Sequence, residues 1–277
     1  MLKLMYITNR PDVAIIAEKE GVERIFVDME YIGKDLRQGG MNTVQNSHTI
    51  EDVKSIRKVL SKSDLMVRCN PIHDAFENTA SSEEEIDQVI QNGADIIMLP
   101  YFKTLDEVKR FVSCVGGRAK TLLLLETPEA VEIVDEIIDL KGVDEIFIGL
   151  NDLSLGYGKK FMFELLADGT VEMLCNKFKA KGMPYGFGGI ASLGKGMLPS
   201  EHVIAEHYRL GSTCAILSRS FCNINHYDSI DGVEEVFDKE LKKIRQYEQL
   251  CQNNGVDFEE NRHEVVTRVK KIVEQIK

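Results

Sequence analysis

Residues 122–152 read "LLLLETPEAVEIVDEIIDLKGVDEIFIGLND", and this stretch holds the repeating unit of the chain. Four leucines make a short, wholly apolar run, the mark of a strand covered on both faces. Glu126 and Thr127 follow at its exit, and Pro128 suits the first turn of a helix entered through Thr127. Val131, Ile133, Val134, Ile137 and Ile138 then recur at roughly helical spacing among acids, which predicts a helix over 129–140. A second apolar run, "EIFIGL", ends in Asn151 and Asp152. Apolar strands separated by a helix belong to a parallel sheet whose outer face is covered.

The same alternation extends in both directions. Upstream lie "LKLMYIT", "RIFVDME", "DLMVRCN" and "ADIIMLP"; downstream lie "PYGFGGI" and "CAILSRSF". With "TLLLLET" and "EIFIGLND" these make eight candidate strands. The segments between them open with recognisable caps: Thr104 with Glu107 fits a capping box, and Ser81 and Ser82 precede Glu84 and Glu85. Eight strand–helix units predict an α/β fold, a closed TIM (β/α)8 barrel, with an open doubly wound sheet as the competing arrangement.

Composition narrows the function. The 277 residues are 43% hydrophobic and carry a formal charge of −11, so a phosphate backbone meets net repulsion and no nucleic-acid partner is expected. The six cysteines are scattered without a CxxC pair, which points to reduced thiols rather than a zinc site or disulfide framework. The N-terminal stretch lacks a long apolar core, and no stretch approaches the ~18 apolar residues of a membrane span. A cytoplasmic protein with no membrane partner is the expectation.

In such barrels the active site gathers where strands give way to their following loops. The exits supply Asp28 and Glu30, Arg68 and Asn70, Glu126, and Asn151 with Asp152: a ring of acids around one arginine. Two carboxylates from neighbouring strands suit a hard divalent cation that keeps exchangeable waters. Glu126 and Asp152 are therefore candidate metal ligands. The alternative use of either acid is to cap or face a helix N-terminus, and that of Arg68 is an internal ion pair with Glu30 or another barrel acid. The glycines of "GFGGI", Gly188 and Gly189 among them, permit close backbone approach to a carboxylate, or simply make tight turns.

The pairing of "LLLLETPEAVEIVDEI" with "GVDEIFIGLNDLSLGYG" resembles the HpcH/HpaI aldolase and citrate lyase beta-subunit family. "RCNP" (68–71) and "GADIIMLPYFKTLDEV" (93–108) extend the resemblance upstream, and "GFGGIAS" and "RLGSTCAILSRSF" extend it more loosely downstream, over most of residues 1–225. The resemblance implies a barrel of the phosphoenolpyruvate/pyruvate-binding type that uses Mg2+ or Mn2+. It implies making or breaking a carbon–carbon bond next to a 2-oxo acid or related small carboxylate, and a homo-oligomer. By motif position Glu126 and Asp152 match the metal-binding acids, and Arg68 matches the arginine that contacts the developing enolate oxygen. Asn151, Gly188 and Gly189 are the candidate substrate-binding residues, on the separate ground that backbone N–H groups in these glycine-rich segments suit a carboxylate.

Two departures from the family pattern stand out. Tyr31 in "VDMEYIGKD" occupies the position of an expected proton-transfer histidine, and a phenol of ordinary pKa is a poor base at neutral pH. His48 in "QNSHT" is a substitute if residues 31–48 fold over the mouth; His73 after "RCNP" is another, while His202 and His207 lie in a helical pattern and read as structural. Leu124 stands where many pyruvate-specific members carry glutamine. These departures leave two alternatives to an aldolase of 4-hydroxy-2-oxo acids: a citrate lyase beta-subunit-like acyl-thioester lyase, and a non-catalytic metal- or carboxylate-binding barrel. At the C-terminus, "VEEVFDKELKKIRQYEQLCQ" suits the last barrel helix and "NRHEVVTRVKKIVEQIK" an additional one. The expected organisation is a catalytic barrel over 1–250 and a helical extension over 251–277, docked on its own barrel or on a neighbouring subunit.

Overall fold

Each of the eight apolar runs is a strand. In the computed structural model, which describes residues 1–34, 48–227 and 229–276, they are β1 (Lys3–Ile7), β2 (Arg24–Asp28), β3 (Asp64–Arg68), β4 (Ile96–Leu99), β5 (Lys120–Leu125), β6 (Glu145–Ile148), β7 (Tyr185–Ile190) and β8 (Cys214–Leu217). All neighbours pair in parallel, and β8 returns to β1, with Met5 opposite Ile216, to close the barrel in sequence order. The open doubly wound alternative is thereby excluded.

The helices are α1 (Pro11–Lys19), α2 (Ile50–Arg57), α3 (Ser82–Gln91), α4 (Leu105–Val115), α5 (Pro128–Glu132), α6 (Val134–Ile138), α7 (Leu150–Gly156), α8 (Glu164–Ala167), α9 (Thr170–Ala180), α10 (Ser200–Leu210), α11 (Ile230–Gln252) and α12 (Phe258–Gln275). Capping boxes start α3 at Ser81 with Glu84 and α4 at Thr104 with Glu107. Thr127 caps α5 by accepting from the Ala130 N–H, with Pro128 at the first helical position. The single helix expected over 129–140 is broken at Ile133, whose ψ of 12° leaves the helical range, giving α5 and α6. Both short helices still turn Ala130, Val134, Ile137 and Ile138 inward, so the periodicity is kept through the break.

Two apolar compartments follow from alternating side-chain direction along each strand. One lies between barrel and helices and holds most of the core, including Leu123, Leu125, Ile146 and Ile148. The other fills the barrel with Met5, Phe26, Met66, Met98, Leu122 and Phe147 among others. At its N-terminal floor, Arg24 at the start of β2 reaches across to Glu145 at the start of β6, on the opposite side of the eight-strand ring. The guanidinium makes two bonds to the carboxylate, 2.9 and 2.7 Å, and Cys214 Sγ lies 3.0 Å from Glu145 Oε1. This plugs the lower end and leaves the C-terminal mouth as the open one.

Beyond the barrel, α11 packs against α1 and α10 as the last barrel helix, and it runs to Gln252. The additional helix α12 packs on α8 and α10 of its own chain. Asn261 Oδ1 accepts from His202 Nδ1 (2.7 Å), its amide nitrogen donates to Glu206 (3.0 Å), and Arg262 pairs with Glu172 at 2.6 Å. Among the described residues, no helix is long and apolar enough to cross a membrane.

Candidate active site

The mouth is built outward from Glu126, the residue after β5, and Asp152, in the first turn of α7 after β6. Both carboxylates are buried, at 5% and 8% exposure. Two glycines let their supporting elements approach. A Cβ on Gly149 would sit 2.8 Å from both Cβ and Oε2 of Glu126, and a Cβ on Gly156 would sit 2.6 Å from Pro128 Cδ. Thus α7 lies directly against the start of α5. Glu126 does not cap that helix, since Thr127 does; instead its Oε1 accepts the Tyr101 N–H at 3.0 Å. Tyr101 reaches this position with φ +47°, a left-handed conformation that is costly for an aromatic residue. Asp152 Oδ1 accepts from the Asn151 amide at 3.0 Å.

Glu126 and Asp152 line two adjoining cavities. The central one, about 260 Å³, sits over the barrel interior and also receives Arg68, Asn151, Gly188, Gly189 and Ser218. Leu124 forms part of its apolar wall. The lateral one, about 680 Å³, opens between α5 and α7 beside Tyr101 and Lys103. Gly188 adopts φ +51° and approaches Leu150 so closely that a Cβ would lie 2.8 Å from its Cδ1, which keeps this edge of the central cavity open.

Arg68, at the end of β3, leaves its strand above Phe26, with the guanidinium carbon 5.6 Å from the ring centre. Its Nε and Nη2 each donate to Asp28 at 2.8 Å, and Nη1 lies 3.3 Å from Glu30. The ion pair left open by the sequence is therefore present, and Arg68 still faces the central cavity. Burial disfavours its charge, but Asp28 and Glu30 outweigh burial and raise its pKa above the already high arginine value.

The loop after β2 is fixed from both sides. Asn70 Oδ1 accepts the N–H groups of Tyr31 (2.9 Å) and Ile32 (3.0 Å). Asn70 in turn donates through its backbone and side chain to Glu85 Oε1 of α3 (3.1 and 2.9 Å). Burial raises the Glu85 carboxyl above its ordinary range despite these bonds. Lys34 folds back under the same loop, its Nζ 3.0 Å from Asp28 Oδ2 and 3.6 Å from Glu30 Oε2.

The proton-transfer candidates separate clearly. Tyr31 is 55% exposed and directs its hydroxyl to Thr79 Oγ1 at 3.4 Å. His48 lies beside the cluster: its Nδ1 accepts the Asp28 N–H at 3.0 Å, which puts the ring proton on Nε2, and burial lowers its pKa against the pull of Asp28. Residues 35–47, through which the expected cover of the mouth would run, lie outside the described residues. His73 is committed to its own loop, with Nδ1 at 2.7 Å from Pro71 O and Nε2 at 2.9 Å from Ala80 O. His207 is fully buried, stacked on Phe187 at 3.9 Å, and tied to Ser212.

Sequence reasoning missed Lys34, Tyr101 and Ser218. Lys34 follows a glycine in an irregular loop where a lysine ordinarily faces solvent, and the N–H of Tyr101 carries no side-chain signature at all. Glu85 stood out only as part of a helix start, although its carboxylate is what holds Asn70.

A closed (β/α)8 barrel with two carboxylates and an arginine converging at its C-terminal mouth defines an enzyme-type scaffold. The sequence profile of the HpcH/HpaI aldolase/citrate lyase family matches residues 4–162, more than half of the chain, and the chain belongs to that family. Two solved structures share the fold. An HpcH/HpaI aldolase from Desulfitobacterium hafniense DCB-2 is 14% identical with a TM-score of 0.59, the match covering 88% of this chain and 93% of that one. An HpcH/HpaI aldolase/citrate lyase family protein from Burkholderia cenocepacia J2315 is 15% identical with a TM-score of 0.62, covering 84% and 94%. No curated protein matches the chain. Membership places the protein, at a coarse level, among the carbon–carbon lyases.

Proposed function

We propose that the protein is a divalent-metal-dependent lyase of the aldolase type that cleaves or forms a 4-hydroxy-2-oxo acid through a pyruvate-like enolate. The observation that carries this reading is the convergence of Glu126, Asp152 and Arg68 on one cavity above an apolar barrel interior. The donor set suits Mg2+ or Mn2+: two hard carboxylate oxygens come from adjacent strand ends, and among the described residues no third acid, histidine or cysteine joins them. Such an ion is commonly held by one or two carboxylates with its other positions left to water and substrate. When bound, it would supply Lewis-acid polarisation of the 2-oxo group.

The chain's own residues supply the rest. Arg68 is oriented by Asp28 and Glu30, so its donors are already in place where negative charge grows on the oxo oxygen, and their attraction is greater in the transition state than in the ground state. Asn151 and the backbone around Gly188 and Gly189 hold the substrate carboxylate at the cavity edge. His48 carries its proton on Nε2 and serves as the donor on the β2 side; Tyr31, at the exposed rim, is left with ordering water. Leu124 in place of an amide makes the cavity wall more apolar and shifts the accepted acid away from the commonest pyruvate-specific pattern. A homo-oligomer in the cytoplasm completes the reading, with six unpaired cysteines in support of the compartment.

The test is exchange of pyruvate methyl protons in deuterated water, followed by NMR on chelator-treated protein with and without added Mg2+ or Mn2+. Metal-dependent exchange that is lost in both Glu126→Gln and Asp152→Asn is the expected result. Metal binding without exchange would refute the 2-oxo acid reading and direct attention to a thioester substrate or to ligand binding without turnover.

A further inference from the structure

We propose that Lys34 is a positioning residue of this site, one that sets the charge around Arg68 and so controls how strongly Arg68 answers the developing enolate. The inference rests on the lyase reading above.

Lys34 shares its acceptors with Arg68 atom for atom. Asp28 Oδ2 takes Arg68 Nη2 at 2.8 Å and Lys34 Nζ at 3.0 Å. Glu30 Oε2 takes Arg68 Nη1 at 3.3 Å and Lys34 Nζ at 3.6 Å. The Lys34 Nζ also lies 3.4 Å from the Glu30 carbonyl oxygen, which ties the ammonium to the turn of the loop as well as to its acids. The side chains of Lys34, Asp28 and Glu30 are 5%, 1% and 2% exposed, so water screens these charges little. Arg68, at 15%, is the member of the four that lines the cavity shared by Glu126 and Asp152.

The consequence is electrostatic. Each buried acid beside Arg68 offsets the field that its guanidinium presents to the cavity, and Lys34 cancels part of that offset. Replacing Lys34 by a neutral side chain adds one net negative charge to the acids that pair with Arg68, opposing charge growth on the side of the cavity that Arg68 faces. It also frees the shared oxygens to draw Arg68 more tightly away from the cavity. The first effect follows from the change in charge alone. Lys34 therefore acts through Asp28, Glu30 and Arg68, and needs no contact with substrate.

The test is a charge-repair cycle, with the metal-dependent pyruvate exchange rate, the pyruvate concentration at half-saturation and Mn2+ affinity measured for each protein. Lys34→Met is expected to slow exchange at saturating pyruvate by about tenfold or more, with Mn2+ affinity within about threefold of wild type. Lys34→Met combined with Glu30→Gln restores the original net charge and is expected to recover most of that loss. A lysine that merely held the loop would give the opposite pattern, since the double variant removes a further contact and would be slower still. Unchanged exchange in Lys34→Met, or a double variant no faster than the single one, would overturn the inference. If Lys34→Met does not fold, recovery of folding and exchange in the double variant supports it, and failure of both proteins to fold overturns it. Absence of exchange in metal-loaded wild type would instead refute the lyase reading, and the inference with it.

Discussion

Replacing Gly149 by alanine probes the proposed metal site at its tightest point. The new Cβ would lie 2.8 Å from Glu126 Cβ, 2.8 Å from Glu126 Oε2 and 3.2 Å from Leu124 Cδ1, against an ordinary contact distance that starts at 3.4 Å. Relief requires about 0.6 Å of movement, because closer carbon contacts are repulsive. The backbone offers little of it, since the Gly149 N–H donates to Leu125 O at 3.0 Å and binds β6 to β5 immediately beside the clash. The carboxylate must therefore swing, or the two strand ends must part. Overpacking of this kind costs roughly 1–3 kcal/mol, which lowers the melting temperature of a chain this size by roughly 2–10 °C. A disturbed ligand shell lowers metal affinity by about 10–100-fold. Calorimetric titration with Mn2+, alongside a thermal melt, measures both quantities. Wild-type Mn2+ affinity at an unchanged melting temperature would refute the reasoning.

Three further outcomes follow from other parts of the molecule. Arg24→Met leaves Glu145 buried without its bidentate partner and is expected to cost about 3–5 kcal/mol by chemical denaturation, most of it recovered when Glu145 is replaced by leucine in the same chain. Burial holds His207 down to about 3, so its contribution to stability is complete above the unfolded value of about 6.5 and is lost as pH falls from 6.5 toward 3. The loss is up to about 1.4 kcal/mol per pH unit within that window, and denaturation at pH 7 and pH 5 in wild type and His207→Gln should show a smaller pH dependence in the variant. Tyr101→Gly keeps the left-handed turn and should retain the proposed Mn2+ binding, whereas Tyr101→Val places a β-branched residue at φ +47° and should weaken it as the N–H leaves Glu126; equal affinities in the two variants would show that this bond does not orient Glu126 for a metal.

The fold was legible because each strand has an apolar centre and several helix starts, those at Ser81, Thr104 and Thr127 among them, carry their own caps. Leu122–Leu125 and Ile146–Ile148 have no reading except burial on both faces, and Thr104 with Glu107 marks a helix start within four residues. The break at Ile133 was not legible, because a 3.6-residue period survives a one-residue kink. In the proposed site, Glu126, Asp152 and Arg68 were legible as charged residues at the ends of apolar runs, and the fold brings them to one cavity. Lys34 did not: its burial comes from a loop that doubles back onto Asp28, a long-range event with no local pattern. The N–H of Tyr101 and the Glu85 carboxylate that anchors Asn70 escaped for related reasons, one being backbone and the other lying on a helix whose first turn is acidic anyway.

The salt bridge across the barrel floor bears on how the molecule assembles. Arg24 and Glu145 are 121 residues apart, and each lies in a different half of the strand ring. A half-barrel ending after β4 would carry the guanidinium without its bidentate carboxylate, and the complementary half would carry that carboxylate without the guanidinium. Neither fragment can bury its interior without stranding a charge, and a strand slipped by one residue would turn its charge away from its partner. Closure and charge neutralisation thus occur in the same event. The pair works as a register gauge read only when β2 and β6 face each other, and it disfavours stable half-barrels on the way to the eight-stranded ring.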